Sequence, residues 1–376
     1  MDGIFVGVSL AKVLRYVWGA AVSRRLQLKR GTCAVGRSVR ARRPLAEASR
    51  YGCGAAALWS SSLFLLLFVF VSLPNSLSAR VEIPAEIMPL AERSVLLDIA
   101  LAGDRLVAVG ERGHILLSDD YGRTWEQVPV PTRSTLTAVF FADSELGWAV
   151  GHDNVVLATT DGGRSWNHQY AEGGIENRFL DVRFLDAERG FAVGAYGLFV
   201  ETMDGGNRWS LREIFWEELH FNRISAAVDG GLFIALETGE LLHSVDDGET
   251  WEEMDSPYDG SLFGVLPLGA RTLLAYGLRG NVFRSSDGGV SWTDVESPAP
   301  LLVTHGARLS GGEVVLAAQN GQFFLSRDGG RSFALWRVPV QGAAALVEAP
   351  DGVVVAVGLN GVHRLHLPRR EARREG

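Results

Sequence analysis

Apolar residues along this chain come in short blocks that end on glycine. Leu106-Val-Ala-Val-Gly110, Gly147-Trp-Ala-Val-Gly151, Gly190-Phe-Ala-Val-Gly194 and Thr272-Leu-Leu-Ala-Tyr-Gly277 show the pattern most clearly. A short turn follows each block, and then a second apolar run: His114-Ile-Leu-Leu, Val155-Val-Leu, Leu198-Phe-Val and Asn281-Val-Phe. Runs of this length, bounded by glycine and aspartate and without a 3.6-residue period, predict β-strands rather than helices.

Each pair of runs leads into a polar box. Ser118-Asp-Asp120-Tyr-Gly122-Arg-Thr124-Trp125 returns as Thr159-Thr-Asp161-Gly-Gly163-Arg-Ser165-Trp166, and again around Asp204, Asp246, Asp287 and Asp328. The successive aspartates are 41, 43, 42, 41 and 41 residues apart. A fixed period near 40 marks stacked repeats, and four short strands per repeat is the pattern of a propeller blade. In the box, the aspartate is expected to accept backbone N–H bonds from two residues on, closing a tight turn. Glycine (Gly122, Gly163, Gly206, Gly248, Gly289, Gly330) supplies the left-handed backbone. The hydroxyl of Thr124, Ser165, Thr250, Ser291 or Ser332 bonds back across the hairpin. Trp125, Trp166, Trp209, Trp251, Trp292 and Phe333 bury a ring between repeats. The third box carries Arg208 in place of the hydroxyl, so its turn is expected to be weaker.

Six units carry the box. A seventh stretch, Ala343 to Leu367, repeats the first strands as Val353-Val-Val-Ala-Val-Gly358-Leu-Asn-Gly361 but has neither box nor fourth strand. The expected architecture is therefore all-β: a seven-bladed propeller of four-stranded blades over residues 80–367. Val81–Leu90 from the N-terminal side is expected to pair with the C-terminal segment and close the ring, which removes exposed edges. Six blades plus a cap is the alternative.

The front of the chain follows different rules. Residues 1–54 form a basic leader with eleven Lys or Arg against Asp2 and Glu47. Ala55 to Leu73 carries no charge, and Pro74-Asn-Ser-Leu-Ser-Ala79 follows with small residues. Basic, then apolar, then small is an export signal over residues 55–79; an uncleaved spanning anchor over residues 55–73 is the second reading. Positive charge ahead of it places the propeller outside the cytoplasm, in the periplasm or anchored at the inner membrane. The leader is longer than a signal needs, so translation is expected to start downstream.

Charge and cysteine usage narrow the partners. Of 36 Lys plus Arg and 44 Asp plus Glu, the leader holds eleven and two. The remaining 25 Arg and 42 acids give −17, and so acidic a surface repels nucleic acid. Both cysteines, Cys33 and Cys53, precede the propeller, which excludes a disulfide framework there. No His or Cys cluster has metal-ligand spacing, so neither metal nor cofactor is expected. A closed ring is expected to be a monomeric domain, and residues 368–376 a basic, solvated tail.

The box resembles the Asp-box, or BNR, repeat first noted in sialidases. The fuller unit, with Gly-Trp/Phe-Ala-Val-Gly before Thr-x-Asp-Gly-Gly-x-Ser-Trp, resembles the photosystem II assembly and stability factors of chloroplasts and cyanobacteria and their bacterial relatives, over residues 81 to 367. That resemblance implies a non-enzymatic scaffold that binds a new membrane-protein subunit and helps its assembly. The acidic array points to some other envelope or membrane complex as client. Resemblance to sialidases would instead imply a glycan-binding or glycoside-cleaving propeller. The arginine-isoleucine-proline signature of those enzymes is missing, with Arg223-Ile224-Ser225 its nearest echo. Glycosidases need two carboxylates at a set separation, whereas the box aspartates are engaged in their turns. A membrane-anchored accessory subunit of a transporter is the remaining alternative.

Two regions are candidates for binding a protein partner. The turns between second and third strands differ from blade to blade, with Arg112, His152, Tyr196 and Arg279 among their residues. The link Arg212-Glu-Ile-Phe215-Trp216-Glu-Glu-Leu219-His220-Phe221 carries three aromatics. These either anchor a partner or cover the seam between the third and fourth blades.

Overall fold

The computed structural model describes residues 83–169 and 178–369. The leader, the export segment and nearly all of the basic tail lie outside the described residues.

The described chain forms twenty-seven strands in seven antiparallel sheets. The first sheet runs β1 (Leu96–Ala102), β2 (Arg105–Gly110), β3 (Ile115–Ser118) and β4 (Glu126–Gln127) in order. Five more four-stranded sheets repeat it, opening on β5 (Leu136–Phe141), β9 (Phe179–Phe184), β13 (Phe221–Ala226), β17 (Leu262–Pro267) and β21 (Val303–Arg308). The seventh has three strands: β25 (Ala343–Glu348), β26 (Val354–Gly358) and β27 (Gly361–Leu365). The first strands pack side by side in sequence, and β1 also lies against β25, so the sheets are blades around one axis.

The core is divided accordingly. Seven clusters of buried apolar side chains occur, one at each seam between neighbouring blades. Each second strand is buried at nearly every position because it faces neighbours on both sides. Box rings pack back against the preceding blade: Trp166 in the first seam, Trp209 in the second, Trp251 in the third and Trp125 in the seam that closes the ring. The boxless seventh blade receives Trp336 of the sixth in that role.

Polar clips join the inner strands as well. Each first strand carries a bulge near its start, which frees a backbone group for the neighbour. Asp98 accepts the Val139 N–H at 2.9 Å, and Asp181 accepts that of Ile224 at 3.0 Å. In the alternate seams Thr137 donates to the Phe179 carbonyl (2.8 Å), Asn222 to Leu262 (2.6 Å) and Thr304 to Ala343 (3.0 Å).

Closure departs from the expectation. Ile83–Leu90 forms no strand beside β27. It runs along the first blade, where the Ala85 N–H donates to Val130 (2.8 Å) and the Met88 N–H to Gln127 Oε1 (2.8 Å). Pro84 and Pro89 account for this, since a proline has no N–H to give a ladder. The ring closes by side-chain packing instead: Leu96, Ile99 and Leu106 meet Ala345, Val355 and Val357. Arg123 of the first box reaches Asp351 of the seventh blade at 3.1 Å.

Candidate functional site

Consecutive antiparallel strands place alternate connections on opposite faces. The first-to-second and third-to-fourth turns share one face, and the second-to-third turns and blade links share the other. The boxes are third-to-fourth turns.

Their geometry shows what the box aspartates do. Asp120 Oδ1 accepts from Ser118 Oγ (2.8 Å), Arg123 N (2.9 Å) and Thr124 N (2.8 Å), and Oδ2 accepts from Thr124 Oγ1 (2.6 Å). The backbone donors stand three and four residues on rather than the expected two. Ser118 Oγ also accepts the Gly122 N–H at 2.8 Å, so the buried hydroxyl two residues before each aspartate is part of the box; sequence reading had given it no role. Burial pulls the Asp120 carboxyl upward, but the bonds from Thr124 and Ser118 prevail and hold it at about 2. Asp246 and Asp287 stand at about 2 through Thr250 and Ser291. Carboxylates held in this way close turns and are poor proton donors. The third box has the N–H bond from Arg208 to Asp204 (2.8 Å) but no hydroxyl on Oδ2, as expected.

On the opposite face the second residue of each second-to-third turn is exposed: Arg112, Asp153, Tyr196, Thr238, Arg279, Asn320 and Asn360, with Leu278 exposed beside Arg279 in the fifth. Five of these have left-handed backbone, with φ between 58° and 66°. Each turn is pinned alike: the N–H of its first residue donates to the carbonyl of the residue before the first strand, as Glu111 does to Val95 and His152 to Thr135. Gly110, Gly151, Gly194, Gly277 and Gly358 permit that approach, since a Cβ would lie 1.9–2.2 Å from the carbonyl oxygen. In the second blade the projecting residue is Asp153. His152 is half-buried, with its imidazole pKa lowered by burial, so Asp153 replaces it in the ring.

The aromatic link divides between the two roles weighed for it. Phe215, with Ile214 and Leu219, packs on the seam between the third and fourth blades. Phe221 is 1% exposed at the head of β13 and is withdrawn from the candidate surface. Trp216 is 76% exposed and leans on Phe215, ring centroids 5.9 Å apart.

A cluster that sequence reading missed surrounds the axis. Asp98, Asp181, Arg223 and His305 occupy equivalent positions on their first strands, just past the bulge. Arg223 Nε lies 4.0 Å from Asp181 Oδ2, and the Tyr276 hydroxyl bonds both Arg223 and the backbone of Gly306. Gly264 makes room for that phenol, whose oxygen lies 2.3 Å from where a Cβ would stand. Burial raises Asp98 to about 7 against the opposing pull of Arg223, and burial, seconded by Arg223, holds His305 well below its ordinary range. The repeat register was the available signal: an ionisable residue recurs at one position in four of the seven first strands. Among the described residues no group of three or more His, Cys, Asp or Glu is placed to hold a metal ion.

The boxes and the turn-bearing ring define an Asp-box β-propeller, whose variable chemistry sits on the face away from the boxes. Residues 117–174 and 169–344 match the family described as photosynthesis system II assembly factor YCF48, and the chain belongs to that family. The chloroplastic photosystem II stability/assembly factor HCF136 of Cyanidioschyzon merolae (strain NIES-3377 / 10D) is 34% identical over 100 residues, or 25% of this chain and 23% of that protein. The match thus spans about a quarter of the curated relative's length. Two solved structures share the fold at a TM-score of 0.61: "YCF48 bound to D1 peptide", 19% identical over 76% of this chain and 96% of the other, and YCF48 from Cyanidioschyzon merolae, 20% identical over 75% and 98%. Streptogramin B lyase is similar at a TM-score of 0.66 with 12% identity, over 76% and 98%. A ring of this shape therefore hosts enzymes as well as assembly factors.

Proposed function

We propose that this chain is a non-catalytic, protein-binding propeller that assists the assembly or stability of a membrane or envelope complex, exported through residues 55–79. One observation carries the reading: the seven turns are pinned by the same backbone bond, five of them with the same left-handed residue, yet they project Arg, Asp, Tyr, Thr and Asn side chains around one mouth. A uniform frame with a varied display suits recognition of one asymmetric protein surface. Membership of the assembly-factor family supports it, as does the structure of a relative bound to D1 peptide. The box carboxylates, saturated by their own turns, are unavailable for glycoside chemistry.

The test is crosslinked capture by the full chain from its native envelope, beside a variant carrying Arg112→Asn, Tyr196→Asn and Arg279→Asn. Asparagine tolerates the left-handed backbone, so the variant should keep its melting temperature. One membrane complex recovered by the native chain and lost by the variant is the expected result. Equal recovery by both, or recovery of glycan alone, refutes the reading. N-terminal sequencing of the mature chain tests export: a first residue near 80 is expected, and an intact Ala55–Leu73 stretch refutes cleavage.

A further inference from the structure

A second recognition surface lies at the seam of the third and fourth blades. A notch of about 470 Å³ is lined chiefly by Glu213, Phe215, Trp216, Leu242, Trp251 and Glu253. The link after β12 (Ser210–Leu211) supplies one wall. Leu242 of β15 (Leu241–Ser244) and its cross-strand partner Glu253 on β16 (Glu252–Met254) supply the other. Trp251 and Glu253 are two residues apart on extended chain and share a side.

We propose that this notch binds a cationic peptide segment of a protein partner, an Arg or Lys side chain lying along the indoles with its charge between Glu213 and Glu253. Both ionisable groups of the lining are carboxylates, and among the described residues neither is paired with a cation. The guanidinium of Arg212, next to Glu213 in the chain, is already committed to Glu201 (2.6 Å) and to the carbonyls of Gly248 (3.1 Å) and Glu249 (2.8 Å). In the first two boxes the indole N–H donates to the glycine carbonyl, from Trp125 to Gly122 (3.2 Å) and from Trp166 to Gly163 (2.9 Å). In the fourth blade Arg212 donates to that carbonyl, and among the described residues the Trp251 N–H has no acceptor, as is also true of the Trp209 N–H in the third. The notch therefore combines two indoles, one of them 76% exposed, with two unneutralised carboxylates. An aromatic face attracts a cation through its quadrupole, and flanking carboxylates reinforce the attraction. Phe215 and Leu242 accept the apolar residue beside that cation. The net charge of −17 over residues 55–376 favours approach of such a segment and opposes an anionic one.

This inference deepens the protein-binding reading. Its test uses the full chain and a labelled, blocked peptide of alternating leucine and arginine, followed by fluorescence anisotropy. Binding that weakens with salt is expected, with a loss of about tenfold when citrulline replaces arginine. Glu213→Gln with Glu253→Gln, or Trp216→Ala alone, should each weaken the peptide by about tenfold at unchanged melting temperature. Equal affinity for the citrulline peptide, or full binding by the variants, overturns the proposal. So does light scattering that shows a dimer dissolved by Trp216→Ala, since the notch would then seat a second copy. The turn-ring variant should retain peptide affinity. If the native chain captures its complex while the peptide fails to bind, this inference alone falls. If the peptide binds and nothing is captured, the assembly reading falls alone.

Discussion

The third box offers a repair that tests the account of all six. In five boxes a hydroxyl four residues after the aspartate donates to Oδ2: Thr124 at 2.6 Å, Ser165 at 2.5 Å, and Thr250, Ser291 and Ser332 at 2.6 Å. Arg208 occupies that place in the third, yet its N–H still donates to Asp204 Oδ1 at 2.8 Å, as the Thr124 N–H does to Asp120. The backbone is already shaped for the missing bond. Arg208→Thr should therefore add one charge-assisted hydrogen bond without moving the turn. Short O–H···O⁻ bonds are strong, but this site is exposed, so a net gain of about 1 kcal/mol is expected. In a domain of this size that raises the melting temperature by about 2 °C. Differential scanning calorimetry at pH 7 would measure it, with Arg208→Ala as reference for simple loss of the arginine. Thr250→Ala in the fourth box should lose what the repair gains. If Arg208→Thr melts with Arg208→Ala, or Thr250→Ala melts with the native chain, the hydroxyl does not stabilise the box.

Asp98 is raised from 3.8 to about 7, so the stability it contributes is full below pH 4 and is lost as pH rises through 7. Asp98→Asn keeps an acceptor for Val139 and cannot ionise, so it should flatten that loss, with a ceiling of about 4 kcal/mol; parallel curves of melting temperature against pH from 4 to 8 would refute this. Gly358→Ala would set a Cβ 1.9 Å from the Gly342 carbonyl oxygen and should cost about 1–3 kcal/mol in urea unfolding; an unchanged midpoint would show the close approach to be slack. Phe215→Ala should destabilise by about 3 kcal/mol, and Trp216→Ala by less than about 0.5 kcal/mol, because one ring packs on a seam core and the other lies on the surface; equal losses would refute that division.

Most of the fold was legible because its constraints are local and repeated. A box needs particular residues within eight positions, and five of the seven pinned turns place glycine where backbones meet, so both recur at a visible period. The second and third strands, nearly all buried, follow from the apolar runs. Closure was not legible from pattern alone, because Ile83, Ile87 and Leu90 give an apolar segment ahead of the first blade while the seventh lacks a fourth strand. The structure leaves each of them 55% exposed, and Pro84 and Pro89 carried the contrary signal. The candidate face was legible as a set of turns, but the register within them was not. Glu111-Arg112 and His152-Asp153 each offer two polar side chains, and only the left-handed position shows which one projects. The axial cluster was hidden for a further reason. Asp98, Asp181, Arg223 and His305 are separated by whole blades, and a charge in an apolar strand has no partner until the ring closes.

That cluster also bears on where recognition can occur. Arg223 retains 22% of its side-chain exposure and Asp181 13%, so both still touch the axial space. Their charges are nevertheless turned inward: Asp181 accepts from Ile224 and Val182, and Arg223 lies among Asp181, Asp98 and the Tyr276 hydroxyl. Groups that hold the inner strands together cannot be redirected to a ligand without loosening two seams. The same constraint applies to the box aspartates, whose oxygens close their own turns. What remains free to vary without cost to the ring is the projecting position of the second-to-third turns and the link beyond the third blade. In a repeat protein whose stability is a sum of like seams, specificity is confined to positions that no seam uses. Arg112 and Arg279 on one face, and Trp216 with its flanking carboxylates on the rim, are such positions, whereas Tyr196 also packs edge-on against His220 of the link to the fourth blade (ring centroids 4.8 Å) and Asp153 accepts from Ser134 (2.8 Å).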